Sequence, residues 1–337
     1  MHLKFLDYLC CPESGQDLLL YIEKQHENGF IFTGSLSTPD GVYTYPIIGG
    51  CPRFVEAESY AASFGREWEM FPQLQFEAAN QAGSMAGHTK KMFHTITQWS
   101  ENELNGKTVV EFGCGAGRFI DLLRREGALA IGLEISRAAD VARKNFKDDP
   151  DVLIVQGDVL KPPFKKNVMD YGYSIGVLHH TPVPEKGAGN LFHCVKHGGK
   201  VSICVYPEGI YGYGSPAVFW WRTYINDLQC RNGNDVALKK AFKYAKKSAC
   251  FYYPLLKFIR KIPLAGGRIA RFLECYIFVV FYIPDKKWRI LDTFDAITPR
   301  YASVHNAQQV AYWFKLFGGE NIVQTPWGET SYSAIKT

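Results

Sequence analysis

The sequence predicts an α/β fold with a largely parallel sheet, and three observations predict it. The apolar run Val109-Val110-Glu111-Phe112 breaks into Gly113-Cys114-Gly115-Ala116-Gly117 and resumes at helical spacing from Arg118-Phe119-Ile120-Asp121-Leu122-Leu123, which reads as strand, tight turn and helix N-terminus. Further apolar runs of strand length follow, two of them closing on an acid: Ala128-Leu129-Ala130-Ile131-Gly132-Leu133 before Glu134, and Val152-Leu153-Ile154-Val155-Gln156-Gly157 before Asp158. A helical stretch then separates a fourth run, Met169–Ile175, from a fifth that starts at Lys200, the spacing of a strand–helix–strand unit.

Each element carries its own reason. The alternate glycines let the backbone turn sharply and approach a ligand, and the helix start offers free N–H groups. A dinucleotide loop would need glycine at position 118 to seat a pyrophosphate; Arg118 stands there, and the third glycine falls at 117. An acid closing the second parallel strand is suited to hold ribose hydroxyls. The fourth run leads into Gly176-Val177-Leu178-His179-His180-Thr181-Pro182, and His197-Gly198-Gly199 turns the chain into Lys200-Val201-Ser202-Ile203-Cys204-Val205-Tyr206.

Across residues 106–206 the pattern E-x-G-x-G-x-G, the two strand-closing acids and the turn before the fifth strand resemble class I S-adenosylmethionine-dependent methyltransferases. The resemblance implies a seven-stranded Rossmann-like sheet and S-adenosyl-L-methionine as cofactor, with S-adenosyl-L-homocysteine as product. It implies that Glu111, Gly113, Cys114, Gly115, Gly117, Glu134, Ile135, Asp158, Val159 and Gly176 surround the cofactor, with Asp158 accepting from the adenine amino group. Methyl transfer from a sulfonium is an in-line displacement that needs an aligned acceptor and, for a neutral acceptor, a proton acceptor. His180, and after it His179, follow the fourth strand, where the family places residues beside the transferable methyl, and histidine titrates near neutrality. Either could instead bond the backbone and position its loop.

Composition bounds the rest. With 337 residues, 47% hydrophobic and 15% aromatic, the chain can bury a large core and suggests about two domains. Residues 1–9 are too short and too charged for a signal peptide, the longest apolar run (276–283) is far below the roughly 20 residues of a spanning helix, and nine cysteines suggest reduced thiols; the expectation is a cytoplasmic protein. A net charge of +5 does not by itself imply nucleic acid.

Residues 1–56, with Cys10-Cys11-Pro12 and Tyr45-Pro46-Ile47-Ile48-Gly49-Gly50-Cys51-Pro52, resemble the small zinc-ribbon-like domain of tRNA-methyltransferase activators. The ligand places are eroded: Ser14 stands where the second thiolate belongs, and Ser37 and Asp40 replace the other pair. One thiolate and one carboxylate do not make a tetrahedral zinc site, so no metal is expected, and Leu18, Leu20, Phe30 and Phe32 are the candidates to close the module's core. In the connector, 57–105, the phrase Tyr60-Ala61-Ala62-Ser63-Phe64-Gly65-Arg66-Glu67-Trp68 resembles one found in fusions of the two domain types. Phe64, Arg66 and Trp68 are pocket candidates there, Arg66 as a bidentate donor to the cofactor carboxylate, although Phe64 and Trp68 also fit an i, i+4 core pair.

Residues 207–300 form an aromatic insertion with a run of lysine and arginine and no acid between positions 239 and 271. It reads as a lid over a small acceptor, a basic amphipathic surface for peripheral contact with anionic lipid, a footprint for RNA, or a solvated basic face over core. Asp292, Asp295 and Tyr301 need partners if buried and could meet a polar or cationic acceptor, or a loop backbone. Residues 301–337 supply a last helix near 306–317, stopped by Gly318, and a closing antiparallel strand pair. The expected activity is O- or N-methylation of a small molecule. A tRNA or rRNA methyltransferase and a non-catalytic scaffold are the alternatives; the oligomeric state is not written in the sequence.

Overall fold

The computed structural model describes residues 1–56, 61–209 and 215–337; Tyr60 of the connector phrase lies outside them. The chain opens with β1 (Leu19–Gln25), β2 (Ile31–Ser37), β3 (Thr44–Ile48) and β4 (Cys51–Pro52), an antiparallel sheet in sequence order. Leu18 and Phe30 are buried as expected, whereas Leu20 and Phe32 are only half-buried. Cys11 Sγ lies 3.2 Å from the Tyr45 hydroxyl, and Asp40 accepts from Thr38 at 2.6 Å and from Gln16 at 3.3 Å.

Helices α1 (Ala62–Met70) and α2 (His88–Thr97) lead into β5 (Thr108–Phe112), α3 (Arg118–Arg125), β6 (Leu129–Glu134), α4 (Ala138–Phe146), β7 (Val152–Gln156), β8 (Met169–Ile175), α5 (Pro184–Cys194) and β9 (Val195–Cys204). The insertion is helical: α6 (Pro216–Asn232), α7 (Asn234–Lys247), a π-helical turn, α8 (Tyr253–Ile259), α9 (Gly266–Glu274) and α10 (Lys286–Ile297). Helix α11 (Ala307–Leu316) and strands β10 (Gly319–Gln324) and β11 (Ser331–Lys336) close the chain.

The large sheet has seven strands in the order β10-β11-β9-β8-β5-β6-β7, parallel except where β11 pairs with β9 and β10. Strand β5 is buried throughout, and its alternation sorts side chains between two cores. Val110 and Phe112 pack with α5 and α11, while Val109 packs with α2, α3 and α4. The order of strand addition reverses at β5, with β6 on one side and β8 on the other, so the cleft at its carboxyl end is where this architecture binds ligands. The fifth strand begins at Val195, earlier than the glycine turn suggested: Met169 pairs with Val195 and Tyr171 with Lys200, so residues 196–199 form an irregularity within the pairing.

Candidate active site

The glycine turn is held by its own strand ends. Gly113, Gly115 and Gly117 have φ of 82°, 52° and 91°, backbone that only glycine adopts easily. The N–H groups of Gly113 and Cys114 donate to Leu133 O, and Gly115 N–H donates to Glu134 Oε2 at 3.0 Å. The other oxygen of Glu134 accepts from the Ser136 amide and hydroxyl. A Cβ on Gly113 would lie 2.3 Å from Val177, and one on Gly115 2.7 Å from Trp68 Nε1. The loop is thus pressed between a side chain below and an indole above.

A cleft of about 470 Å³ opens over this turn. Glu111, Gly113, Cys114, Gly115, Glu134, Ile135, Val159 and Gly176 line it, and so do Phe64, Trp68, His180 and Asp295. Gly117 caps α3 beneath the cleft instead of lining it. Asp158 does not line the cleft although its neighbour Val159 does; its Oδ1 accepts from the Leu160 amide at 2.9 Å. Arg66 is on the wrong face of α1: it pairs with Glu69 at 3.1 Å, half of its side chain exposed, and does not line the cleft. Among the described residues, the arginine or lysine that lines the cleft is Arg118, stacked 4.3 Å over Phe119. Tyr301 does not line it either; its carbonyl receives His180.

The two histidines differ. His179 is fully buried, outside the lining, with its ring 3.7 Å from the Tyr206 ring and its Nδ1 accepting the Tyr206 amide. It braces Tyr206. His180 lines the cleft and donates from Nδ1 to the Tyr301 carbonyl at 3.0 Å, which leaves Nε2 unprotonated. Burial pushes the His180 pKa down to about 3, so its ring stays neutral and is a weak base.

The acids of the cleft behave differently. Asp292 and Asp295 lie one turn apart on α10 and face the cleft, Asp292 accepting from Tyr282 OH at 2.6 Å and Asp295 from Tyr206 OH at 3.1 Å. Burial, then the charge of Asp292, raises the Asp295 pKa; burial and both aspartates raise that of Glu67. Glu67 is buried on α1 with Oε2 unpartnered, and Gln75 Oε1 and His180 Nε2 in the same lining are also unpartnered. Glu67 and Arg118 are the site residues that sequence reasoning missed. Glu67 falls on the helical face of Phe64 (i, i+3), and that spacing is its signal in the sequence.

Residues 110–203 match the family model described as a methyltransferase domain. This segment is a methyltransferase domain. The match and the fold imply S-adenosylmethionine as cofactor, and the residues present fit it: a glycine cradle that any Cβ would fill, an acid on that cradle, and unpartnered polar atoms in the same cleft. The chain is 34% identical over 104 residues to the sterol 24-C-methyltransferase of Schizosaccharomyces pombe, covering 29% of this chain and 27% of that one. It is 30% identical over 124 residues to phosphoethanolamine N-methyltransferase 2 of Caenorhabditis elegans (36% and 28% covered), and 27% identical over 150 residues to the ubiquinone biosynthesis O-methyltransferase of Coxiella burnetii (40% and 59%). The chain therefore spans little more than a quarter of the first two relatives, and the three names place the methyl on carbon, nitrogen and oxygen. A solved Methanococcus maripaludis protein described as an S-adenosyl-L-methionine-dependent methyltransferase is similar along 84% of this chain and 96% of its own, at 15% identity and a TM-score of 0.39.

Proposed function

We propose that this chain transfers a methyl group from S-adenosylmethionine to a small-molecule acceptor at nitrogen or oxygen. One observation carries the reading: the glycine turn and Glu134 line the same cleft as Glu67, Tyr206, Asp292 and Asp295, together with aromatic side chains. Glu134 and the glycine turn would hold the nucleoside half, and Arg118 the carboxylate. The bound cofactor supplies an electrophilic methyl on positive sulfur. The acceptor's proton passes to Asp295, whose raised pKa suits that task better than the depressed one of His180; His180 orients. The acids favour an acceptor with an N–H or O–H to donate or a positive charge. The N-terminal sheet reads as a zinc-ribbon-like module whose metal ligands have been replaced by hydrogen bonds and whose role is packing.

The test is calorimetric titration with S-adenosylmethionine and S-adenosylhomocysteine, followed by labelled methyl transfer to panels of amines and phenols. Glu134→Gln, which keeps the shape, should weaken binding about tenfold or more through lost charge-assisted bonds. Asp295→Asn should bind cofactor normally yet lose turnover. Folded wild type that binds neither compound would favour a non-catalytic scaffold.

A further inference from the structure

The insertion carries large apolar side chains on its outer surface. Along the π-helical turn, α8 and the loop after it, Phe251, Leu255, Phe258 and Ile262 recur at helical spacing and are exposed, Phe258 by 68%. On the returning arm Ile269, Phe272 and Tyr276 repeat the pattern, Phe272 exposed by 63%. Leu264, fully exposed at a φ of 67°, marks the tip between them. The two arms pack together, and Gly266 makes this possible: a Cβ there would lie 2.1 Å from the Ile259 carbonyl oxygen.

The net charge on this hairpin is positive. Lys257, Lys261, Arg268 and Arg271 are all exposed, and the hairpin's acid, Glu274, is neutralised by Arg260 at 2.6 Å. An aromatic groove of about 570 Å³ between Trp220, Trp221, Tyr244 and Tyr252 shares Tyr276 with the hairpin. Tryptophan and tyrosine are the side chains that settle at the headgroup level of a bilayer.

We propose that the α8–α9 hairpin docks this protein on the surface of an anionic membrane. The apolar tip enters the boundary between headgroups and acyl chains, and the flanking cations meet lipid phosphates and carboxylates. The arms, 7 and 9 residues long, are too short to cross a bilayer, and among the described residues no helix is long and apolar enough to do so. A second copy of the chain fits the face less well, because a two-fold contact would set this cationic hairpin against itself. The inference stands apart from the methyl-transfer reading and does not need it.

The experiment is co-sedimentation of the full chain with phosphatidylcholine vesicles, with and without phosphatidylserine, at low and high salt. Retention should require phosphatidylserine and weaken with salt. Lys257→Ala with Lys261→Ala should lower partitioning roughly 25-fold, about fivefold per cation lost near the surface. Leu264→Ser with Phe272→Ser should abolish retention while cofactor titration and circular dichroism stay as in wild type. A full chain that remains in the supernatant at low salt overturns the proposal, as does retention indifferent to both pairs of substitutions. A dimer that dissociates in the Leu264→Ser pair, without vesicle binding, would assign the face to a second copy instead.

Discussion

Glu111 and His180 line one cleft and pull the stability of the fold in opposite directions with pH. Burial pushes Glu111 from an ordinary value of 4.5 up to about 8, against the favourable influence of Tyr173 and Arg118. The unfolded chain then releases this proton first, and stability falls as pH rises from about 4.5 to 8. His180 is pushed from 6.5 down to about 3. Its contribution is complete above 6.5 and is lost as pH falls toward 3, because only the unfolded chain binds the proton. Melting temperature measured across pH should therefore droop on both sides. Glu111→Gln should flatten the alkaline limb, and His180→Gln should flatten part of the acid limb while buried His179 keeps the rest. Limbs unchanged in both variants would mean that neither group is enclosed as described. At this scale the sequence was legible where spacing alone decides. The strand-end acid Glu134 and the alternate glycines needed only order along the chain. A phrase shared with other chains says nothing of helical faces: Phe64, Glu67 and Trp68 share one side of α1, which turns Arg66 to solvent.

Whole elements were legible wherever a chemical stop accompanied the apolar period. Helix α11 has both stops: Asn306 and Gln309 form a reciprocal capping box at its start, and Gly318 takes a φ of 83° just beyond its end. Asn306→Ala should cost about 1 kcal/mol by leaving the Gln309 amide without its acceptor, read as a shift in denaturant midpoint with an unchanged slope. A cost near zero would show that water replaces the cap. The insertion was harder to divide. Helix α6 distributes aromatic and polar residues around its circumference, burying Ala217, Val218 and Ile225 while leaving Phe219 and Trp220 exposed. Such a helix has no stripe to read. Its place follows from tertiary bonds, as Arg222 donates to the carbonyls of Ala296 and Ala302 near the end of α10.

At the scale of the molecule, the N-terminal sheet protects an edge. Strand β7 is the outermost parallel strand, and an uncovered edge of that kind pairs readily with other chains. Here Arg53 forms a parallel bridge with Gln156, and the Phe54 amide donates to the Gln156 carbonyl at 2.8 Å. The Arg53 guanidinium spans Gln156 and Asp140, and Lys4 meets Asp151. Beneath these bonds the apolar residues run without a break: Met1, Phe5, Leu9 and Ile31 belong to the same core as Leu153, Val155 and Phe164. None of this was legible locally, since a contact between residues a hundred positions apart leaves no trace in the period of either segment. Its consequence is that the small sheet does not stand alone: it is stabilised from the side by the domain it covers. The full chain should therefore lose residues 1–56 and the parallel sheet in one calorimetric transition, with the calorimetric and van't Hoff enthalpies equal. Arg53→Ala should lower that transition by about 1–3 kcal/mol, the cost of leaving the buried Gln156 side-chain oxygen without its donor, without splitting it. A chain beginning at residue 57 should expose β7 and aggregate at concentrations where the full chain stays dispersed. Two resolved transitions, or a truncated chain that remains monomeric and binds cofactor normally, would show that the module rides on the domain without completing it.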